Sequence, residues 1–391
     1  MAMTRKMGPR AAFAALGLSV VLGTGPALAQ LAGQEIHIGV GGPLTTTSAS
    51  FGIEMRQAVD LAVAEKNARG GILGAKIAAV AVDDAADNAK GEAVAKDFCA
   101  DPALLGVIGH VNSGVTIAAS TVYAGCGLAM ITPMSSNPAV TDRGLAGIFR
   151  LTGRDDHKAP GLAAYLVKTM GKRRAVVIDD QTPYGKGLAD LFVEAFTGKG
   201  GAVVARRNVK VGDTDFSAFV AALPKDFDVL FFGGIREAAY VLKDMRKAGL
   251  NQLFACGDGC WDVKGFILPS EGAALKGEGV RVLSAAPALG KVPGSAAFAK
   301  AYAAKYGPIN NYAANDYDAA RVLIAAIESA AKAKKARPGR AQVLAALKAT
   351  KFQGVAYAKP ITWKPNGDNS AAVIFINTVA DDHFKEVAAI E

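Results

Sequence analysis

From Ile36 to Asn377 the chain alternates short apolar runs with helical patterns, in two series that break at residues 150–156. Strands that each feed a helix stack as parallel sheets with helices on both faces, and few other folds accept that rhythm. The first series predicts strands at 37–40, 76–82, 104–109 and 128–132 with helices between them. Met55, Ala58, Val59, Ala62 and Val63 mark one face of its first helix, and Gly70 and Gly71 end it. The second series predicts helices at 158–170, 185–197, 216–223 and 236–248 alternating with strands at 175–179, 202–205, 229–232 and 253–256. After a run at 280–283 come helices at 295–306 and 314–333, then a turn at Pro365, Asn366 and Gly367 and a strand at 371–377. Two series imply two doubly wound parallel-sheet α/β lobes. No low-complexity linker separates them, so the lobes share more than one crossover.

The stretch from Ile108 to Pro138 shows the same arrangement twice. One apolar run ends at Ile108, Gly109 and His110, and Asn112, Ser113, Gly114 and Thr116 then open an alanine-rich helix. The next run ends in Pro133, Met134, Ser135, Ser136 and Asn137. If the two strands are parallel neighbours, both hydroxyl-rich turns open at the carboxyl edge of one sheet, where open α/β sheets bind ligands. Free N–H groups and the positive helix end at Ser113 favour a carboxylate or a phosphate there. Read singly, Ser113 caps a helix and Ser136 turns the chain.

Arg5, Lys6 and Arg10 precede an apolar run at 11–22, and Ala27, Leu28 and Ala29 follow it. These are the three parts of a secretory signal peptide with cleavage before Gln30. The run is shorter than the roughly 20 apolar residues of a membrane span, and no cysteine follows the cut for lipid attachment. The mature protein is therefore expected to be free in a periplasm. The formal charge of +9 on 391 residues is mild, and the leader removes three of its cations. Lys332, Lys334, Lys335, Arg337 and Arg340 form the densest basic run, without the interleaved aromatics of a nucleic-acid site, and read as a solvated helix end.

Four cysteines in an oxidising compartment pair in three ways. Cys99 and Cys126 close successive predicted helices, and parallel packing brings them together; free thiols are the alternative. Cys256 and Cys260 flank Gly257, Asp258 and Gly259 and close a tight loop if the backbone permits it. Metal binding is the weaker reading, because His37, His110, His157 and His383 are scattered without ligand spacing. No cofactor or metal is expected.

Nothing makes a catalytic set: there is no Gly-x-Ser-x-Gly elbow, no phosphate-binding loop and no His-Glu-x-x-His. His110 reads as a structural histidine. The second half places Tyr184 after Asp179 and Asp180, and Asp258 between glycines beyond the 253–256 strand, where little bulk blocks a ligand. An aspartate there caps its own turn, or holds a cation if it faces an anion site across a cleft. A cleft with both walls suits a zwitterion, of which an α-amino acid is the simplest.

At these residues the chain resembles the periplasmic substrate-binding proteins of branched-chain amino acid ABC transporters, the leucine/isoleucine/valine-binding family. The likeness runs from Ile36 to about Asn377. It rests on Ile108, Gly109 and His110 with Ser113; Ile131, Thr132 and Pro133; Thr152 to Asp156; Tyr184 to Ala189; and Gly233 with Gly234. The resemblance implies a type I periplasmic binding protein, with a first lobe of 30–154 plus 286–361 and a second of 155–285 plus 362–391, joined by three crossovers. It implies a non-enzymatic monomer that hands an amino acid to a membrane permease and binds no nucleic acid.

By position, Ser113 and Ser136 fall where the family binds the ligand's carboxylate. Met134 stands where a backbone carbonyl takes the ammonium, and Asp258 where an acid neutralises it. Phe51, Tyr184, Ile235 and Tyr312 fall at positions lining the side-chain pocket, and Cys99 with Cys126 matches the family's disulfide. Asp258 is one methylene shorter than the glutamate often found there, so the ammonium sits deeper or a water intervenes. Phe51 and Ile235 replace tyrosines, Met134 replaces a small residue, and the loop at 45–50 is two residues longer. An aliphatic or aromatic amino acid is expected. The rivals are an aromatic carboxylate, amide or urea in the same fold, and, further off, a secreted α/β enzyme.

Overall fold

The computed structural model describes residues 31–286 and 290–390. The signal peptide and its cleavage before Gln30 lie outside them. The first series folds as β1 (Glu35–Gly42), α1 (Ala49–Ala68), β2 (Lys76–Asp83), α2 (Asn88–Ala100), β3 (Leu104–Gly109), α3 (Ser113–Cys126), β4 (Met130–Thr132), α4 (Ala139–Asp142) and β5 (Ile148–Arg150). Its strands form one parallel sheet in the order β2-β1-β3-β4-β5.

The second series folds as α5 (Asp155–Ala164), β6 (Arg174–Asp179), α6 (Pro183–Gly198), β7 (Ala202–Asn208), α7 (Ser217–Ala221), β8 (Val229–Gly233), α8 (Glu237–Lys247), β9 (Leu253–Cys256) and β10 (Val280–Ser284). The chain returns to the first lobe for α9 (Ser295–Tyr306), α10 (Ala313–Lys334) and α11 (Arg340–Lys348), then ends in the second with β11 (Ile374–Ala380) and β12 (His383–Ile390). The second sheet runs β12-β11-β10-β9-β8-β6-β7, and its last two strands are antiparallel additions at one edge.

Order reverses at β1 and β3 in one sheet and at β6 and β8 in the other, which opens a crevice beyond the carboxyl ends of the strands in each lobe. The third crossing comes later than the expected boundary at 361. Trp363 packs tilted against Phe149 with ring centroids 4.9 Å apart, and Asp368 bridges to Arg150 and pairs with its guanidinium at 2.6 Å, so residues 362–370 stay with the first lobe. Arg150 is wholly buried and also donates to the carbonyl of Asn137 at 2.7 Å.

Two residues of the basic run are half-buried and hydrogen-bond to the first lobe. Arg337 donates to the carbonyls of Glu35 and Ala103, and Arg340 to those of Cys99, Leu104 and Asp101, which fastens α11 to the first sheet. Cys99 is bonded to Cys126 between the packed helices α2 and α3, and Cys256 to Cys260. Among the described residues no helix is long and apolar enough to cross a membrane, and no group of three or more His, Cys, Asp or Glu side chains is set to hold a metal.

Candidate functional site

The turn after β3 is built on His110, whose buried ring meets Asp84 at 2.7 Å and the Tyr123 hydroxyl at 3.0 Å. Both ring nitrogens are satisfied, so His110 is structural. Its carbonyl accepts from the hydroxyls of Thr132, at 2.8 Å, and of Ser135, at 3.1 Å. These bonds clamp the β3 and β4 turns together. Ser113 is the first residue of α3 and does not cap it; the first helical bond runs from the Thr116 N–H to the Asn112 carbonyl. The N–H groups of Ser113, Gly114 and Val115 therefore point off the helix end. The Ser136 carbonyl takes the Asp155 N–H at 3.0 Å, which ties the β4 turn to the start of α5.

The opposite wall belongs to the second lobe. Gly257 and Gly259 give room to Tyr184: a Cβ on Gly257 would stand 2.5 Å from the Tyr184 hydroxyl, and one on Gly259 would stand 3.0 Å from its ring. That hydroxyl accepts from the Gly259 N–H at 2.9 Å and donates to Asp258 Oδ1 at 3.0 Å. Tyr312, at the head of α10 in the first lobe, donates to Asp258 Oδ2 at 2.5 Å. The third donor to Asp258 is Lys158 Nζ, on the same Oδ2.

All eight residues expected at the ligand site, Phe51, Ser113, Met134, Ser136, Tyr184, Ile235, Asp258 and Tyr312, line one cavity, joined by Val111, Asn112 and Gly259. Its empty space, counting solvent at the mouth, is about 360 Å³. Phe51 meets Tyr312 edge to face at 5.9 Å, and Trp261 backs Tyr312 at 5.1 Å. The Oδ1 of Asn112, on the same wall as Ser113, is buried without a hydrogen-bond partner among the described residues.

Lys158 is the residue that sequence reasoning missed. It lies behind the wall, wholly buried between Asp258 and Asp155, with Nζ 3.6 Å from Asp155 Oδ1. Burial pushes the Asp155 carboxyl up to about 6, against the pull of Lys158 and with the push of Asp258. Burial, and then the Asp258 carboxylate, holds the Tyr184 and Tyr312 hydroxyls well above the usual phenol range, so both donate to Asp258 as neutral groups. Two carboxylates face one ammonium in this cluster, leaving room for one further positive charge.

A family model described as periplasmic binding protein matches residues 35–382. The Leu/Ile/Val-binding protein BraC3 of Rhizobium johnstonii is 34% identical over 353 residues, spanning 90% of this chain and 93% of that protein. Among solved structures, a leucine-binding protein, LivK, from Thermotoga maritima superposes with a TM-score of 0.81 at 26% identity, covering 91% of this chain and 99% of that one. The branched-chain amino acid transporter substrate-binding protein LivJ from Streptococcus pneumoniae, in complex with isoleucine, gives a TM-score of 0.80 at 26% identity with the same coverage.

Proposed function

Because the chain belongs to the periplasmic binding protein family, we propose that it captures an α-amino acid of branched-chain type between its lobes and delivers it to the membrane permease of an ABC importer. The observation that carries this reading is the convergence on one cavity of a helix N-terminus with Ser113 and Ser136, from the first lobe, and Asp258, from the second. On this reading the N–H groups at the start of α3 and the two serines take the carboxylate. The Met134 carbonyl and Asp258 take the ammonium, and Phe51, Tyr184, Ile235 and Tyr312 enclose the side chain. The relatives named for leucine, isoleucine and valine support an aliphatic side chain. The leader read at 1–29 supports export to the periplasm, where the mature chain acts as a monomeric binder with no reaction of its own.

The test is a thermal-shift screen of the mature chain after unfolding and refolding to strip carried-over ligand. A ligand that binds only the folded state raises the melting temperature as its concentration passes the dissociation constant. L-Leucine, L-isoleucine or L-valine is expected to do so, and to stop when its amine or carboxylate is blocked. Stabilisation by carboxylic acids or amides that lack an amine, with none by amino acids, rejects the reading.

A further inference from the structure

Lys158 and Asp155 stand one turn apart on α5, both fully buried and neither lining the cavity. Asp258 takes Tyr184 on one oxygen and Tyr312 with Lys158 on the other, which fills three of its roughly four lone-pair positions. A ligand ammonium arriving with Lys158 in place puts two cations on one carboxylate at close range. Asp155 is the reverse case. Among the described residues neither of its carboxylate oxygens has a hydrogen bond of good geometry, and the Ser136 hydroxyl is the one neutral donor that faces it, a costly state for a buried carboxylate. The group positioned to relieve it is Lys158 Nζ, at 3.6 Å. An ammonium–carboxylate bond is about 2.8 Å long, so a shift of about 1 Å on a flexible stem completes it.

We propose that Lys158 is a movable counter-ion shared by Asp258 and Asp155: it passes from Asp258 to Asp155 when the ligand's ammonium takes Asp258, and so sets how strongly the site prefers a ligand bearing an amine. The proposal rests on the amino-acid reading above. A ligand without an amine leaves Lys158 where it is and Asp258 satisfied. Lys158 therefore narrows the gap between an amino acid and its des-amino analogue. Without it, a des-amino acid buries Asp258 with no cation at all.

Calorimetric titration of L-leucine and 4-methylpentanoate tests this on the wild type, Lys158→Met and Asp155→Asn. In Lys158→Met the ratio of dissociation constants, 4-methylpentanoate over leucine, is expected to rise about tenfold or more. In Asp155→Asn, where Lys158 has lost its second acceptor, leucine binding is expected to weaken about tenfold more than 4-methylpentanoate binding. Ratios that stay at the wild-type value in both variants overturn the exchange. A crystal structure of the wild type with leucine needs no variant: Lys158 Nζ bonded to Asp155 supports the proposal, and Lys158 still on Asp258 overturns it while leaving the amino-acid reading intact. A wild type that takes 4-methylpentanoate and no amino acid overturns that reading, and the exchange with it.

Discussion

Asp258 accepts from Lys158, Tyr184 and Tyr312 at once, so its charge organises both walls of the cavity. Asp258→Asn keeps the shape and removes the charge. Lys158 retains Asp155 in that variant, and the fold is expected to survive. Leucine binding is expected to weaken by about a hundredfold or more, as for other buried charge pairs that lose one partner, where the cost is about 2–5 kcal/mol. Calorimetry showing undiminished binding removes Asp258 from the site. Asp155 adds a pH dependence. Its carboxyl is pushed up to about 6 by burial, and the groups facing it are Lys158, Asp258, Ser136 and Arg150. Below that pH it takes a proton, the cluster loses a negative charge, and an ammonium ligand binds less tightly. The stability term has the opposite sign, because the folded pKa lies above the usual 3.8. The stability that Asp155 contributes is full below 3.8 and lost as pH rises through 6. From pH 7.5 to pH 5 the wild type, compared with Asp155→Asn, should gain ligand-free melting temperature and lose leucine affinity; parallel profiles for the two proteins contradict this. Ser113, Ser136, Tyr184 and Asp258 were legible because each follows an apolar run or opens a helix, while Phe51, Met134, Ile235 and Tyr312 were assigned only through the family resemblance. Lys158 was not legible, because it meets Asp258 across a separation of 100 residues that only the fold closes. In the sequence it reads as the start of a helix.

The same contrast holds for the elements. Strands with continuous apolar runs, such as β3, β8 and β9, stand where their hydrophobic pattern puts them. β5 has three residues, and β12 alternates exposed and half-buried positions on the rim of its sheet, so neither rises above the surrounding chain. α5 begins at Asp155, before the predicted 158, because Asp155 and Asp156 complement its N-terminal dipole. The packing of α1 on α10 hides a charge problem with a measurable consequence. Glu54 on α1 accepts the Ala313 N–H at 3.1 Å and faces the Asn310 backbone N–H, while both oxygens of Asp316 on α10 are buried without a hydrogen-bond partner among the described residues. Burial first, and then the carboxylate of Asp262, pushes Glu54 up to about 8. A raised acid stabilises the fold while protonated, so this contribution is full below the usual 4.5 and lost as pH rises through 8. Glu54→Gln keeps the acceptor for Ala313 and cannot ionise. Urea unfolding is expected to show it within about 0.5 kcal/mol of the wild type at pH 4 and about 1–3 kcal/mol more stable at pH 9. An equal difference at both pH values means that the fold leaves the Glu54 pKa at its unfolded value.

At the scale of the whole molecule, two lobes were legible from two strand–helix series, while the position of the last crossing was not. The Trp363 and Asp368 contacts that return residues 362–370 to the first lobe leave no periodic signal. Three crossings make a hinge, and the structure shows what holds the cleft shut around it. Ser50 Oγ donates to Asp262 at 2.9 Å, Asn310 Nδ2 donates to the same carboxylate at 2.8 Å, and Asn137 Nδ2 donates to the Pro183 carbonyl at 2.7 Å. None of Ser50, Asn137, Pro183, Asp262 or Asn310 lines the cavity, so they bear on the ligand only through the balance of open and closed forms. If binding requires the closed form, the apparent dissociation constant is the intrinsic one divided by the closed fraction. Each such hydrogen bond contributes about 0.5–1.5 kcal/mol, so Ser50→Ala combined with Asn137→Ala shifts the balance by about 1–3 kcal/mol toward the open form. The expected result is a larger radius of gyration for the ligand-free variant by small-angle X-ray scattering, together with a drop in leucine affinity equal to the drop in closed fraction. Saturating leucine should restore the wild-type radius, because the ligand's own bonds to both walls are untouched. A radius and an affinity that both stay at the wild-type values contradict a role for these contacts in closure.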